Sequence, residues 1–144
     1  MSKSQVINIE NQQQMADFAK NFAKNPARII ALKGTLGAGK SFFAKHFINE
    51  IQEVKTDILS PTFNIALTYD TKLGEVYHFD LYRLKNKDEL ENVGFFDAIK
   101  NNICLIEWPE IALDYLKTLP WFVLLEFEII GEEEREIKIT TSQK

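Results

Sequence analysis

A glycine-rich segment at residues 34–41 has the residue types and the spacing best suited to chemistry in this sequence. It contains the letters GTLGAGKS and matches the pattern GxxxxGK followed by Ser or Thr at every position. In such a loop the backbone N–H groups surround phosphate oxygens, and glycines allow the tight curl that this requires. The lysine reaches the terminal phosphates, and the hydroxyl after it ligates magnesium. The spacing therefore predicts a site for a nucleoside triphosphate with magnesium.

Each position of this loop, and the residue that follows it, is a candidate nucleotide ligand. Lys40 is in addition a candidate catalytic residue, and Ser41 is a candidate metal ligand. The alternative is a chance match in a glycine-bearing turn. The motif lies between an expected buried strand and an expected helix, which is the context that phosphate binding requires. The predicted nucleotide-binding residues are Gly34, Thr35, Leu36, Gly37, Ala38, Gly39, Lys40, Ser41, Phe42 and, further along the chain, Trp108.

Two acidic residues that follow apolar strands are candidates for the rest of the site. Asp80 follows the letters VYHF, and Glu107 follows ICLI. Ligands of open α/β sheets lie at the carboxyl ends of strands, and a magnesium–triphosphate site needs carboxylates there. We interpret both residues as candidate catalytic residues and magnesium ligands. Which of them contacts the metal directly stays open, as does the alternative that each merely caps a strand.

Three further residues have both a functional and a structural interpretation. Thr62, in the letters SPTF, occupies a position where nucleotide switches place a hydroxyl that senses the terminal phosphate and magnesium. The alternative is a plain turn residue. Trp108 either stacks on or covers a base, or it fills the core. His78 lies on a strand without an evident partner, which favours a structural role over catalysis.

The elements that must position these residues alternate between strands and helices. The apolar runs RIIALK and ICLI are typical of strands buried on both faces of a parallel sheet, whereas two predicted hairpins indicate antiparallel strands. We therefore predict an α/β fold, a single P-loop NTPase domain over residues 1–144, with a parallel centre, antiparallel flanking strands and helices on both faces. The predicted strands are 6–9, 28–33, 63–69, 75–81, 103–106, 121–130 and 135–140, and the predicted helices are 11–24, 40–52, 88–100 with a break near Gly94, and 110–118.

Charge and composition limit the classes of function. The net charge is −4 and the densest charge run, residues 132–134, is acidic. Binding to a nucleic-acid backbone uses clustered Lys and Arg, so direct RNA or DNA binding is disfavoured. A single cysteine, Cys104, excludes an internal disulfide, and no apolar run approaches the about 18 residues of a membrane span. We expect a cytoplasmic protein without membrane attachment.

Four segments in order resemble the bacterial TsaE family, also called YjeE or YdiB. They are GTLGAGKS, SPTFNIALTYD, YHFDLYRLKNKDELENVGFFDAI and LIEWPE. The resemblance implies a P-loop ATPase that uses ATP and Mg²⁺ and is required to make threonylcarbamoyladenosine in tRNA. It also implies that the isolated protein hydrolyses ATP slowly and that it acts with TsaD and TsaB. ATP hydrolysis would reset that complex, and tRNA would be contacted only through it.

The resemblance assigns family positions to the candidate residues. It places the phosphate-loop residues on the family's own loop, Thr62 at its switch, Asp80 at the acid of its HFDLYR segment, and Glu107 and Trp108 at its EW pair. The chain departs from the family at Thr35, where Asp is usual. It also has Ser41 where Thr is common, a change that keeps the hydroxyl.

Two alternative functions use the same loop. A small-molecule kinase needs an acceptor site and an arginine-bearing lid, yet only Arg83 and Arg135 follow the loop, and only Arg83 is expected near the site. A non-enzymatic nucleotide-sensing module would bind ATP without turnover. The chain lacks the NKxD signature of guanine-specific sites, which mildly disfavours GTP.

Overall fold

The computed structural model describes residues 2–142, in which seven strands form one mixed sheet. The strands are β1 (Ser2–Ile9), β2 (Ile29–Gly34), β3 (Ala66–Thr71), β4 (Gly74–Asp80), β5 (Ile103–Glu107), β6 (Phe122–Ile129) and β7 (Arg135–Ser142). The helices are α1 (Gln12–Lys24), α2 (Lys40–Ile51), α3 (Asp88–Asn92), α4 (Phe95–Asn101) and α5 (Leu113–Leu116), with a 3-10 turn (Pro109–Ala112) before α5.

The strands lie in the order β1-β7-β6-β2-β5-β4-β3. The centre is parallel, since β2 pairs with β6 and β5, and β5 pairs with β4. The flanks are antiparallel: β1 pairs with β7, β7 with β6, and β3 with β4. The predicted mixed sheet is confirmed. As a result the carboxyl ends of β2, β4 and β5 meet at one edge of the sheet.

Both faces of the sheet are covered by helices, as predicted. Ile30 and Leu32 of β2 pack with α1 and α2, whereas Ile29 and Ala31 pack with α3, α4 and α5. These four residues are at most 2% exposed, which explains why this strand is a continuous apolar run in the sequence. Phe43 of α2 is fully buried and contacts rings of α1, and burial of such a side chain stabilises the fold by about 2 kcal/mol.

Two predicted elements are corrected by the structure. The third strand begins at Ala66 and not at residue 63, because Ile65 adopts a left-handed conformation (φ 65°) and its N–H donates to the Pro61 carbonyl. The helix predicted at 110–118 is a 3-10 turn followed by the short α5. The break near Gly94 is confirmed, since Gly94 (φ 72°) separates α3 from α4. Among the described residues, no helix has both the length and the apolar character that crossing a bilayer requires.

Candidate functional site

The loop between β2 and α2 has a shape that suits an anion. Gly39 is the N-cap of α2 with φ 111°, a conformation that favours glycine, and no side chain caps this helix end. The first N–H groups of α2 and its positive dipole end therefore face the loop. A Cβ atom at Gly34 would lie 2.8 Å from the Phe127 carbonyl oxygen, so the start of the loop also requires glycine.

Lys40 folds back over this loop. Its Nζ donates to the carbonyl oxygens of Gly34 and Thr35, and it lies 3.8 Å from the centroid of the Trp108 ring. Burial lowers the pKa of Lys40, and the negative charge of nearby carboxylates, Glu107 foremost, opposes that shift. The loop's own carbonyl groups thus hold a buried ammonium group beside the carboxylates.

Asp80 and Glu107 are direct neighbours across the parallel pair of β4 and β5. They are 4% and 2% exposed. Strand alternation places both on the sheet face that packs against α2, so the first turn of that helix comes within reach. The Ser41 hydroxyl donates to Glu107 Oε1 at 2.8 Å. The structure therefore brings together three of the residues predicted as metal ligands.

Thr62, the fourth predicted metal ligand, reaches the same place from the turn before β3. Its Oγ1 donates to Asp80 Oδ2 at 3.1 Å and lies 2.8 Å from the Ser60 hydroxyl. The next residue, Phe63, is 83% exposed. A β-branched residue with positive φ, Ile65, follows soon after, and such a conformation is strained. Thr62 is thus tied to the site by its side chain.

A cavity of about 530 Å³ joins these groups. Its walls include six residues of the loop and of the first turn of α2, among them Leu36, which is 85% exposed at the mouth. The remaining walls are Ser60, Thr62, Asp80, Tyr82, Glu107 and Trp108. The rings of Tyr82 and Trp108 are in contact, with centroids 4.8 Å apart. Trp108 therefore lies beside Lys40 and the carboxylates, and its contact with a base stays a prediction.

The remaining loop residues face two smaller hollows. Gly34 and Thr35 line one of about 330 Å³ against β6 and β7. Ala38 lines the other, of about 130 Å³, and that hollow shares Gly37, Gly39 and Phe42 with the main cavity. Its other walls are Asn11, Gln12 and Met15 at the start of α1, together with Glu132, Glu133 and Arg135.

His78 has a partner that the sequence did not reveal. Its Nε2 lies 2.6 Å from Glu107 Oε2, and both side chains are almost fully buried. The expectation of a histidine without a partner is therefore wrong. A signal existed, because His78 precedes Asp80 by two residues on one strand and so shares its face of the sheet.

Arg135 is the second residue that sequence reasoning missed. Its guanidinium donates to the carbonyl oxygens of Gly37 and Ala38, each at 3.2 Å, and to three carbonyls of the turn at 131–134. The expectation that only Arg83 lies near the site is wrong, because Arg135 contacts the phosphate loop. Arg83 lies over the exposed Phe63 ring. Arg135 ties the β6–β7 turn to the phosphate loop.

The donor set fits a hard divalent cation that arrives with a phosphate. Among residues 2–142, no group of three or more His, Cys, Asp and Glu side chains could hold a metal ion by itself. Magnesium commonly takes one or two carboxylates and completes its shell with phosphate oxygens and water. This coordination preference is matched by the carboxylates of Asp80 and Glu107 together with the hydroxyls of Ser41 and Thr62.

Comparisons with known proteins point to one family. A family model described as threonylcarbamoyl adenosine biosynthesis protein TsaE matches residues 9–139. Proteins described as tRNA threonylcarbamoyladenosine biosynthesis protein TsaE are similar to the chain. The one from Rickettsia prowazekii is 41% identical over 88% of this chain and 88% of its own length. The one from Bacillus subtilis is 32% identical over 96% and 84%. The crystal structure of Bacillus subtilis YdiB superposes with a TM-score of 0.74 at 28% identity, covering 99% of this chain and 88% of that one.

Proposed function

This chain belongs to the TsaE family of threonylcarbamoyl adenosine biosynthesis proteins, and on that premise we propose that it is a magnesium-dependent ATPase of the tRNA-modifying machinery. The observation that carries the proposal is the hydrogen bond between Ser41 and Glu107 beside Lys40. It joins the phosphate-loop hydroxyl to a strand-end carboxylate, which is the pairing that a magnesium–triphosphate site uses.

The triphosphate would lie on the backbone N–H groups of residues 34–41 with Lys40 at its terminal phosphates. Phosphate oxygens would then replace the carbonyls of Gly34 and Thr35 as acceptors for the ammonium group. Ser41, Thr62, Asp80 and Glu107 would hold magnesium, which supplies positive charge to the phosphate oxygens. Glu107 and Asp80 would also orient an attacking water.

We assign the base to the hollow between the start of α1 and the β6–β7 turn. This hollow continues from the main cavity past Gly37, Gly39 and Phe42, and Met15 and Phe42 give it apolar walls. Carboxylates at Glu132 and Glu133 can accept hydrogen bonds from an exocyclic amino group such as that of adenine. Trp108 lies on the other side of the loop, beside Lys40. It would therefore cover the terminal phosphates, and this proposal replaces the sequence-based expectation that it contacts the base.

The same geometry supports the proposal that the isolated chain hydrolyses ATP slowly. Fast phosphoryl transfer usually needs an arginine on the developing charge. Arg135 gives its N–H groups to backbone carbonyls, Arg83 lies over Phe63, and Arg28 donates to carbonyls at the end of α4. A partner complex would therefore complete the site. TsaD and TsaB are the proposed partners, tRNA is met only through them, and the cytoplasm is the proposed compartment.

The test compares ATP hydrolysis by the purified chain alone and with TsaD and TsaB. We expect turnover to rise at least tenfold on addition of the partners, as arginine-supplying partners commonly achieve more than this. Unchanged turnover would count against the proposal. A phosphorylated metabolite formed in stoichiometric amounts would indicate the small-molecule kinase, and binding without turnover in the full complex would indicate the sensing module.

A further inference from the structure

We propose that His78 is a positioning residue, which holds the Glu107 carboxylate in the orientation that the magnesium site needs. The inference rests on the proposed function, because an oriented Glu107 serves this purpose only in a chain that binds ATP with magnesium. It deepens that function by adding a residue behind the metal ligands. In metal sites, partners of this kind fix the orientation of the ligating side chain.

The position of His78 in the sheet brings Glu107 within reach. His78 and Asp80 lie on the same face of β4, and Leu105 and Glu107 lie on the facing positions of β5. The imidazole therefore reaches diagonally across the parallel pair to Glu107, with Nε2 and Oε2 2.6 Å apart. The two side chains are 1% and 3% exposed, so water does not compete with this bond.

The surroundings of the ring indicate which nitrogen carries the hydrogen. Nδ1 is buried and has no hydrogen-bond partner among the described residues. An N–H group there would be a buried donor without an acceptor, which costs free energy. The hydrogen therefore belongs on Nε2, which donates it to Glu107 Oε2.

Glu107 is in this way held at both oxygens. Oε2 accepts from His78, and Oε1 accepts from the Ser41 hydroxyl. A glutamate has several side-chain torsions, and two partners on opposite oxygens restrict them to one orientation. That orientation turns Oε1 toward Ser41 and hence toward the main cavity. Without His78, the inner oxygen of a buried carboxylate would have no partner.

A purely packing role for His78 makes a different prediction. If the ring only fills space, any side chain of similar volume should preserve the site. If the Nε2–H group matters, the chain should tolerate a residue that keeps a donor at that place. Glutamine carries its amide nitrogen about where Nε2 lies, whereas asparagine carries it about where Nδ1 lies and stops short of Glu107. His78→Gln and His78→Asn are therefore a matched pair of polar variants.

The experiment measures the affinity of a non-hydrolysable ATP analogue by calorimetry, in EDTA and across a magnesium titration. In His78→Asn, we expect half of the gain in analogue affinity to require about tenfold more magnesium than in the wild type. Tenfold is the lower end for the loss of such a partner of a metal ligand. The affinity of this variant in EDTA should stay near that of the wild type, and His78→Gln should restore most of the magnesium response. Val76→Ala, a buried truncation on the same strand face, controls for lost stability.

Imidazole ¹⁵N NMR gives an independent readout at fixed pH. The chain has only two histidines, so a His46→Gln variant assigns both ring systems. We expect His78 in the Nε2–H form, and the Nδ1–H form would overturn the proposal. Equal magnesium response in the wild type and His78→Asn, or equal loss in His78→Gln and His78→Asn, would overturn it as well. Failure of the wild type to bind the analogue would instead overturn the proposed function.

Discussion

Ser41 and Glu107, 66 positions apart in the chain, are joined by a 2.8 Å hydrogen bond from the Ser41 hydroxyl to Oε1. The two residues come from the first turn of α2 and the last position of β5. Their contact arises because β5 runs parallel beside β2, so that both strands end next to the loop that begins α2. The hydroxyl and the carboxylate that a phosphate-bound metal needs are thus paired by the sheet itself.

Replacement of Glu107 should separate binding from turnover. In Glu107→Gln the shape of the side chain is kept, whereas the negative charge is lost and one accepting oxygen becomes an amide donor. We expect ATP hydrolysis in the complex with TsaD and TsaB to fall by about a hundredfold or more, the scale for loss of a group that assists proton transfer. At saturating magnesium, affinity for the ATP analogue should persist. Glu53→Gln, an exposed position past α2, is the matched control, and equal turnover in both variants would remove Glu107 from the mechanism.

Binding of ATP should take up a proton at alkaline pH. Burial lowers the pKa of Lys40 in the free chain below its ordinary value of 10.5. Phosphate oxygens near Nζ would favour the charged form and so raise this pKa in the bound state. At a pH between the pKa of the free chain and that of the bound chain, Lys40 is partly deprotonated until ATP binds. Binding must then reprotonate it, so the affinity for ATP falls as pH rises through this window. Calorimetry in two buffers of different ionisation enthalpy measures this uptake. Lys40→Met should abolish the proton uptake and weaken ATP binding roughly thirtyfold, which corresponds to the loss of about 2 kcal/mol of charged hydrogen bonding. The control Lys45→Met should change neither the proton uptake nor the affinity.

The parts of the site that the sequence predicts are the local ones. The loop and its helix follow from glycine spacing, and Asp80 and Glu107 follow from the rule that acids at strand ends gather at one edge. The contact of His78 with Glu107 depends on the register of two strands, which no local pattern contains. The turn at Ile65 was missed because its positive φ contradicts the residue's β propensity, which the surrounding hydrogen bonds override.

Arg135 was missed for a different reason. Its place beside the phosphate loop depends on the pairing of β7 with β6 and of β6 with β2. The first pairing is a local hairpin, whereas the second joins strands that lie far apart in the chain. The sequence around Arg135 contains only an acidic turn followed by alternating polar and apolar residues. The prediction that this region forms a hairpin was correct, whereas the position of that hairpin in the sheet required the three-dimensional fold.

Removal of the Thr62 hydroxyl should affect ATP more than ADP. Thr62→Val keeps the volume of the side chain but loses the bond to Asp80 Oδ2. If Thr62 senses the terminal phosphate with magnesium, the affinity for an ATP analogue should fall about tenfold, the effect of about 1.4 kcal/mol and typical of one hydrogen bond. ADP affinity should change little. Thr68→Val, on the exposed face of β3, is the control, and equal losses for ADP and the ATP analogue would refute a sensing role.

Arg135 is expected to support the shape of the phosphate loop and not the chemistry. Arg135→Ala removes donors to two loop carbonyls and three turn carbonyls, so we expect lower affinity for the ATP analogue, by about tenfold, and a lower melting temperature. At saturating ATP, turnover in the complex should stay close to that of the wild type, because the guanidinium donates to backbone carbonyls of the loop and the turn. Arg28→Ala offers a matched control, since it also loses bonds from a guanidinium to backbone carbonyls, but at the end of α4, far from the loop. It should lower the melting temperature without lowering affinity. A large loss of turnover with unchanged affinity in Arg135→Ala would instead identify this residue as the arginine that acts on the developing charge.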